Sequence, residues 1–418
     1  VVTGDYVLEA GATPSSATLV MSTPELQVRK HFEIRPGEYR VRSKVEVKNL
    51  SGTRSHIEVR GIARALQDAS SSEGGMFTPP LNLLESTCAY GDDFARDGTS
   101  YIQSKVEDKD PLSFVGARWF GVDSRYFMSS LSSSQLVTCT QSINVDDLNL
   151  IGRVPAGFSP LSTTGVYYSD FIDPAEQVVS ELTFYGGPKK LEVLTASEPS
   201  LNEAIDFGIF SPICYLMLWA MGFFFSWLPN WGVAIILLTL FVKLLTLPLT
   251  LKQYRSMAAM KKIQPELTAL KEQHKDDAMR MQQETMALYK KHGANPLSGC
   301  LPMLVMMPIY FALYRTIYSA VELYQAHFVG WLHDLSMPDP YFVTPVILAG
   351  LMFLQAQLQP TNSAMDATQR KMLTTFMPLM FGGMMLFLPS GLVLYILINT
   401  GLGLVQQQWS QRSMEANG

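Results

Sequence analysis

Polar and apolar residues alternate along the first half of this chain and separate into long blocks in the second. From Tyr39 onward, Tyr39, Val41, Val45 and Val47 fall between Arg40, Arg42, Lys44, Glu46 and Lys48, the period of two of a strand with one buried face. Leu26, Val28, Phe32 and Ile34 predict its hairpin partner across the turn Arg35-Pro36-Gly37-Glu38. Asn49-Leu50-Ser51-Gly52 ends the strand. Further strands are predicted at His56–Val59, Trp119–Leu131, Gly165–Ile172 and Val178–Tyr185, with Ser70-Ser71-Ser72-Glu73-Gly74-Gly75 as a loop. Residues 1–199 are expected to form an all-β sandwich, with no helical period of comparable strength. Val1 opens directly on strand-like sequence, which reads as a mature or trimmed start.

At Ser200 the pattern changes. Ser200-Leu201-Asn202-Glu203 has the form of a capping box and predicts a helix start. Residues 207–242, 340–365 and 372–411 carry no charged side chain, and 299–321 carries only Arg315. A helix needs about 20 apolar residues to cross a bilayer, and each block meets that length. Pro229-Asn230 divides the first block into about 208–228 and 231–251. The remaining spans are expected near 301–321, 343–359, 373–388 and 392–408. Between them, residues 252–298 hold nine Lys or Arg and five Asp or Glu. Apolar positions at Met257, Met260, Ile263, Leu267 and Leu270, then Met279, Met286 and Leu288, flank Lys275-Asp276-Asp277 and predict a helical hairpin in water.

Charge then sets sidedness. Cytoplasmic loops carry an excess of Lys and Arg, which places the 252–298 hairpin inside. Residues 322–342 have neither and belong outside, while Arg370, Lys371 and Arg412 belong inside. For the β domain to lie outside, an odd number of crossings must separate it from the hairpin. Pro212 and the tryptophans Trp219, Trp227 and Trp231 favour 208–228 as a helix lying in the outer interface, with Phe207, Phe210, Met217 and Met221 expected to face the acyl chains. Five spans follow.

Lys243 stands near the centre of the 231–251 span. A cation there costs roughly 2.5–3.5 kcal/mol on insertion scales. Leu251 is eight residues away, about 12 Å of helix, beyond easy snorkelling. No Asp or Glu occurs in any span, so an internal ion pair is excluded. The remaining reading is a water-filled cavity, with Thr239 and Thr246, one turn away on the same face, as candidate lining groups. Gln355, Gln357, Thr316, Tyr310, Tyr314, Tyr395, Asn399 and Thr400 are further candidates. Hydrogen bonding between helices is the plain alternative for each, and accounts for the threonines equally well. Arg315 reads as structural or interfacial.

Catalytic constellations are missing from the sequence. The six histidines lie outside the spans with no HExxH, and no Walker motif or GxGxxG occurs. Ser390 has no intramembrane His to act as its base. Cys88, Cys139, Cys214 and Cys300 have no metal-ligand spacing. Cys88 and Cys139 share the β domain, where a disulfide is open to them if that side is oxidising, though separate buried thiols are the simpler expectation. Seventeen of 22 Met lie from Met257 onward, adaptable thioethers that suit either helix packing or varied apolar partners.

Asn295-Pro296-Leu297-Ser298-Gly299-Cys300-Leu301-Pro302, followed by Met307-Pro308-Ile309-Tyr310-Phe311-Ala312-Leu313-Tyr314, resembles the third span of the bacterial YidC-type membrane protein insertases. Trp331-Leu332-His333-Asp334-Leu335, Asp339-Pro340-Tyr341, Phe376-Met377-Pro378 and Pro389-Ser390-Gly391-Leu392-Val393-Leu394-Tyr395 are similar fragments. Asn230-Trp231-Gly232 and Pro248-Leu249-Thr250 resemble its second span. The resemblance covers about 200–410, and the β domain is similar to the periplasmic supersandwich of the Gram-negative branch.

The resemblance implies an α-helical polytopic membrane domain (230–418) behind an interfacial helix (200–229) and a periplasmic β domain, in the bacterial inner membrane, with a first span missing. It implies insertion and folding of newly made membrane proteins, without catalysis, cofactor or metal, through a hydrophilic groove open to cytoplasm and lipid. The groove's characteristic cation, usually Arg, is matched by Lys243. Thr239, Thr246, Tyr395 and Asn399 fall at groove positions, while Ile396 replaces the second of two paired tyrosines. Implied partners are nascent membrane proteins, the Sec translocon, ribosomes or targeting factors at the hairpin, and membrane lipids. A transporter would instead show inverted sequence halves, which are absent, and an envelope scaffold would not need Lys243.

Overall fold

The computed structural model describes residues 5–11, 13–68, 83–110, 112–143, 155–205, 207–274, 277–292, 296–358, 368 and 371–416. The expected loop at Ser70–Gly75, the turn residues Lys275 and Asp276, Asn295 and Arg370 lie outside that set, as do the side chains of Met257 and Met260. The chain divides into two compact units, Val1–Asp206 and Phe207–Gly418.

The first unit is built on eleven antiparallel strands: β1 (Val7–Leu8), β2 (Ser16–Ser22), β3 (Leu26–Ile34), β4 (Arg40–Asn49), β5 (Ser55–Asp68), β6 (Glu85–Tyr90), β7 (Asp93–Gly98), β8 (Ser113–Asp123), β9 (Phe127–Ser142), β10 (Phe158–Ile172) and β11 (Gln177–Pro188). Their order is β1-β2-β3-β4-β11-β9-β8-β6-β7, with β10 pairing β5 and β9. The hairpin inferred from alternation is β3 and β4, in register from Leu26 opposite Asn49 to Ile34 opposite Val41. Val28, Val47, Ile57, Val59, Phe120, Tyr167 and Ile172, drawn from β3, β4, β5, β8 and β10, meet in one core. Gly165 is required there, because a Cβ would lie 2.0 Å from the Phe120 ring.

Three expectations for this unit fail. The strand expected over Trp119–Leu131 is two strands, β8 and β9, folded back at Ser124, whose amide and hydroxyl both donate to the Phe127 carbonyl (2.8 and 3.0 Å). Among the described residues two helices are present, α1 (Thr99–Glu107) and α2 (Leu191–Ser197), too short for periodicity to reveal. Cys88 and Cys139, both fully buried, form a disulfide between β6 and β9 rather than separate thiols.

The Ser200–Glu203 box does not start a long helix either. Pro199–Ala204 is a 3-10 turn without a side-chain cap. Glu203 is taken instead by Arg118 of β8, which donates to both carboxylate oxygens at 2.8 Å. Trp119 Nε1 donates to the Ser200 carbonyl (3.0 Å), and Arg96 to that of Ala204 (2.6 Å). Arg96 and Lys189 also bind the buried Asp123 carboxylate at 3.0 and 2.7 Å. The sheet thus holds the turn through long-range pairs.

The second unit is helical: α3 (Ser211–Trp227), α4 (Trp231–Lys262), α5 (Gln264–Gln273), α6 (Ala278–Lys291), α7 (Pro296–Ser319), α8 (Val343–Leu358), α9 (Met377–Met385) and α10 (Ser390–Ala416). The break at Pro229-Asn230 falls between α3 and α4, where Asn230 Oδ1 accepts from the Val233 amide at 3.1 Å as an N-cap. A π-helical turn, Met372–Phe376, leads into α9. Pro378 has no N–H for the Thr374 carbonyl, and the Met377 amide bonds back to Met372. Among the described residues, Gly208–Trp227, Trp231–Lys252 and Ser390–Ser410 are long and apolar enough to cross a bilayer.

The face of α3 is the reverse of expectation. Phe207, Met217 and Met221 are 1%, 6% and 0% exposed, packed inside this unit. The outward stripe is Leu216, Trp219, Phe223 and Trp227, with Trp219 and Trp227 67% and 70% exposed. Trp219 stacks on Phe223, which also meets Trp227, one turn apart each time.

Candidate functional site: a lysine between three helices

Lys243 lies on α4, twelve residues from Trp231, and is half-buried. Its Nζ sits 3.7 Å from the point where a Cβ on Gly403 of α10 would stand, and Gln355 Nε2 of α8 sits 3.7 Å from the same point. Three helices therefore converge on the ammonium group. Gly403 is buried and lets the cation approach the α10 backbone, where a side chain larger than alanine would displace it. Lys243 forms no ion pair among the described residues. The nearest groups are the Gly403 backbone and the Gln355 side-chain amide, neither of which carries a charge to neutralise it.

The threonines play a different part from the lysine. Thr239 is buried, and its hydroxyl donates to the Ile235 carbonyl at 2.7 Å. Thr246 is buried too and donates to Val242 at 2.8 Å. Thr250 repeats the pattern onto Thr246 at 2.9 Å. Such back-bonding is how Ser and Thr are accommodated in apolar helices. It brackets Pro248, which cannot donate to the Leu244 carbonyl. Thr250 Oγ1 also accepts from Gln406 Nε2 of α10 at 3.0 Å, fixing α10 against α4 two turns from Lys243.

On α10, Tyr395, Asn399 and Gly403 follow at intervals of four, hence on one face. Tyr395 is buried, and Asn399 Nδ2 donates to Tyr310 Oη of α7 at 3.5 Å. The structure thus brings Lys243, Gln355, Gly403 and, one turn on, Asn399 together. It keeps the Thr239 and Thr246 hydroxyls on their own helix. Gly403, Gln406 and Thr250 escaped the sequence reading. The four-residue step from Tyr395 through Asn399 to Gly403 was the available signal. A separate cleft, lined by Thr368, Lys371, Met372, Thr375, Phe376 and Leu379, includes none of the five predicted residues.

The loop between α7 and α8 explains several of the recurring fragments. Asp339 is buried and accepts from Trp331 Nε1 and the Tyr341 amide (3.0 Å each) and from the Thr344 amide and hydroxyl (2.8 Å each). Burial alone would raise its carboxyl, but these donors hold it below the ordinary aspartate value. Asp334 accepts from the amides of Gln325 and Ser336. Ser390 donates to the Asp334 carbonyl at 3.0 Å, and the Ser390 and Gly391 amides bond to Met337 and Leu335. Pro389-Ser390-Gly391 is therefore an anchored turn.

Comparison with known proteins agrees with this architecture. Residues 1–220 match the YidC periplasmic domain family, and residues 223–417 match the family described as 60Kd inner membrane protein. A membrane protein insertase YidC of Geobacter sp. (strain M21) is 42% identical over 425 residues, 99% of this chain and 73% of its own length. Those of Anaeromyxobacter sp. (strain K) and Geotalea daltonii are 35% and 39% identical, over 96% and 76% of this chain. The chain spans 70% and 58% of the length of these two. With family models matched over residues 1–220 and 223–417, this chain belongs to the YidC family of membrane protein insertases.

Proposed function

We propose that this protein inserts newly made membrane proteins into the bacterial inner membrane through a polar groove centred on Lys243, by physical rather than covalent means. The observation that carries this is the placement of Lys243. A cation without a carboxylate partner among the described residues sits between three apolar helices, faced by Gln355 and the Gly403 backbone. A substrate's acidic or polar tail meets no solvent in hydrocarbon. A hydrated cation part-way across shortens that barrier and attracts the tail. The substrate's own apolar helix then leaves into lipid, driven by burial of its apolar surface.

In this reading five spans cross the membrane: α4, α7, α8, the Met372–Met385 segment and α10. Helix α3 lies in the outer interface with its Trp219–Trp227 stripe toward lipid, and the β unit is periplasmic. The buried Cys88–Cys139 disulfide supports an oxidising compartment for that unit. Helices α5 and α6, linked by His292 Nε2 and Glu266 at 3.2 Å, form the cytoplasmic hairpin that receives nascent chains from ribosomes or targeting factors. Thr239, Thr246, Tyr395 and Asn399 frame the groove around Lys243. Handover beside the Sec translocon and contact with lipid complete the set of partners.

The test is reconstitution. Vesicles containing only this protein are expected to insert a single-span substrate with a short acidic tail and protect that tail from external protease. Protection no greater than in protein-free vesicles, for several such substrates, would sink the insertase reading for this chain acting alone.

A further inference from the structure

Arg315 is the one charged residue of the 299–321 block, and the groove does not use it. It lies on α7 four residues before Ser319, about 6 Å of helix rise from the end. Its side chain is exposed, and among the described residues it makes no ion pair or hydrogen bond. The guanidinium is directed to the start of α3, where its Nη2 is 3.9 Å from the Cβ position of Gly208. Gly208 adopts φ +62°, a conformation that glycine takes freely, so no side chain screens the approach. Phe210 and Phe311 stack on each other with ring centroids 6.1 Å apart, and Ile209, next to Gly208, is 88% exposed.

Such a cation cannot rest bare in hydrocarbon. Its stem can lie along apolar surface while the head reaches the interface. The group waiting at that depth is a phospholipid phosphate, whose oxygens fit a guanidinium fork in two parallel hydrogen bonds. The apolar surroundings of Ile209 and Phe311 suit acyl chains. We propose that Arg315, beside the Gly208 turn, binds the phosphodiester of an outer-leaflet phospholipid and so fixes the α3–α7 corner to the membrane surface. This rests on the topology proposed above, in which the C-terminal end of α7 faces outward.

Native mass spectrometry of the full chain, released from detergent with phosphatidylglycerol or with uncharged diacylglycerol, reads the site. The expected result is at least fivefold less retained phosphatidylglycerol on Arg315→Gln than on the parent protein, with Arg315→Lys between them and diacylglycerol unchanged throughout. Inorganic phosphate in large excess should leave the lipid adducts in place. Equal retention by parent and Arg315→Gln overturns the proposal, and full displacement by phosphate overturns the lipid as its ligand. A matched thermal unfolding profile for Arg315→Gln shows that the variant is folded. Labelling of a Gln325→Cys variant by an impermeant thiol reagent from outside checks the topology separately. Outside labelling with unaltered lipid retention rejects the lipid site alone.

Discussion

Lys243 Nζ and Gln355 Nε2 approach the same point, each 3.7 Å from where Gly403 would carry a Cβ. Alanine at 403 would make ordinary contact with both, whereas a larger side chain must move one of them. Gly403→Leu is therefore expected to slow insertion of acidic-tailed substrates about fivefold to tenfold, the effect of roughly 1–1.4 kcal/mol on a barrier. Gly403→Ala should stay within about twofold of the parent. Rates measured on reconstituted vesicles decide it, and equal rates for Leu and Ala would show that Gly403 does not seat the lysine.

The outer loop should be acid-sensitive through Asp339. Its carboxyl is held below the ordinary value, so the folded state binds its proton less readily than the unfolded chain. That contribution is fully present above about pH 4, the unfolded aspartate value, and is lost as pH falls through the lower folded value. Asp339→Asn keeps the shape but loses the charge, and should destabilise the loop by on the order of 2 kcal/mol at neutral pH. Limited proteolysis at 322–342 as a function of pH reads both effects, and the variant should show no further acid step of this origin.

Reduction should weaken the β unit. The disulfide closes a loop with a sequence separation of 51 residues, for which the chain-entropy argument gives about 4 kcal/mol and typical measurements 2–4 kcal/mol. Cys88→Ser with Cys139→Ser should lower the unfolding midpoint of the β unit by several degrees, measured by calorimetry. An unchanged midpoint would mean that the buried pair packs equally well as thiols.

Single cysteines in a variant lacking the native four test the topology. Positions 206, 230 and 325 are expected to react with an impermeant reagent from outside, and position 273 only after the membrane is opened. Strong labelling at 206 with none at 230 would mean that α3 crosses.

Much of this architecture is legible in the sequence because burial writes a period. The β3–β4 hairpin, the Pro229-Asn230 break and the uncharged helical blocks all come directly from it. What stays hidden depends on partners far away in the chain. Glu203 completes a capping box on paper, yet Arg118 takes both of its oxygens. Helix α3 is apolar on every face, so periodicity cannot say which side packs. The four-residue spacing of Trp219, Phe223 and Trp227 was the better guide, since bulky aromatics suit the membrane interface. In the site, Lys243 announces itself by its cost in an apolar span, whereas Gly403 has no side chain to announce.

On the proposed mechanism, the charge at position 243 draws acidic tails into the groove. Insertion of one substrate carrying either an acidic or an uncharged tail, by the parent protein, Lys243→Arg, Lys243→Gln and Lys243→Ala at matched amounts in vesicles, measures it directly. Lys243→Arg is expected to keep near-parent rates with both tails. Lys243→Gln and Lys243→Ala are expected to lose about tenfold with the acidic tail, equivalent to ~1.4 kcal/mol, and much less with the uncharged one. Parent-like insertion of the acidic tail by folded Lys243→Ala would contradict it.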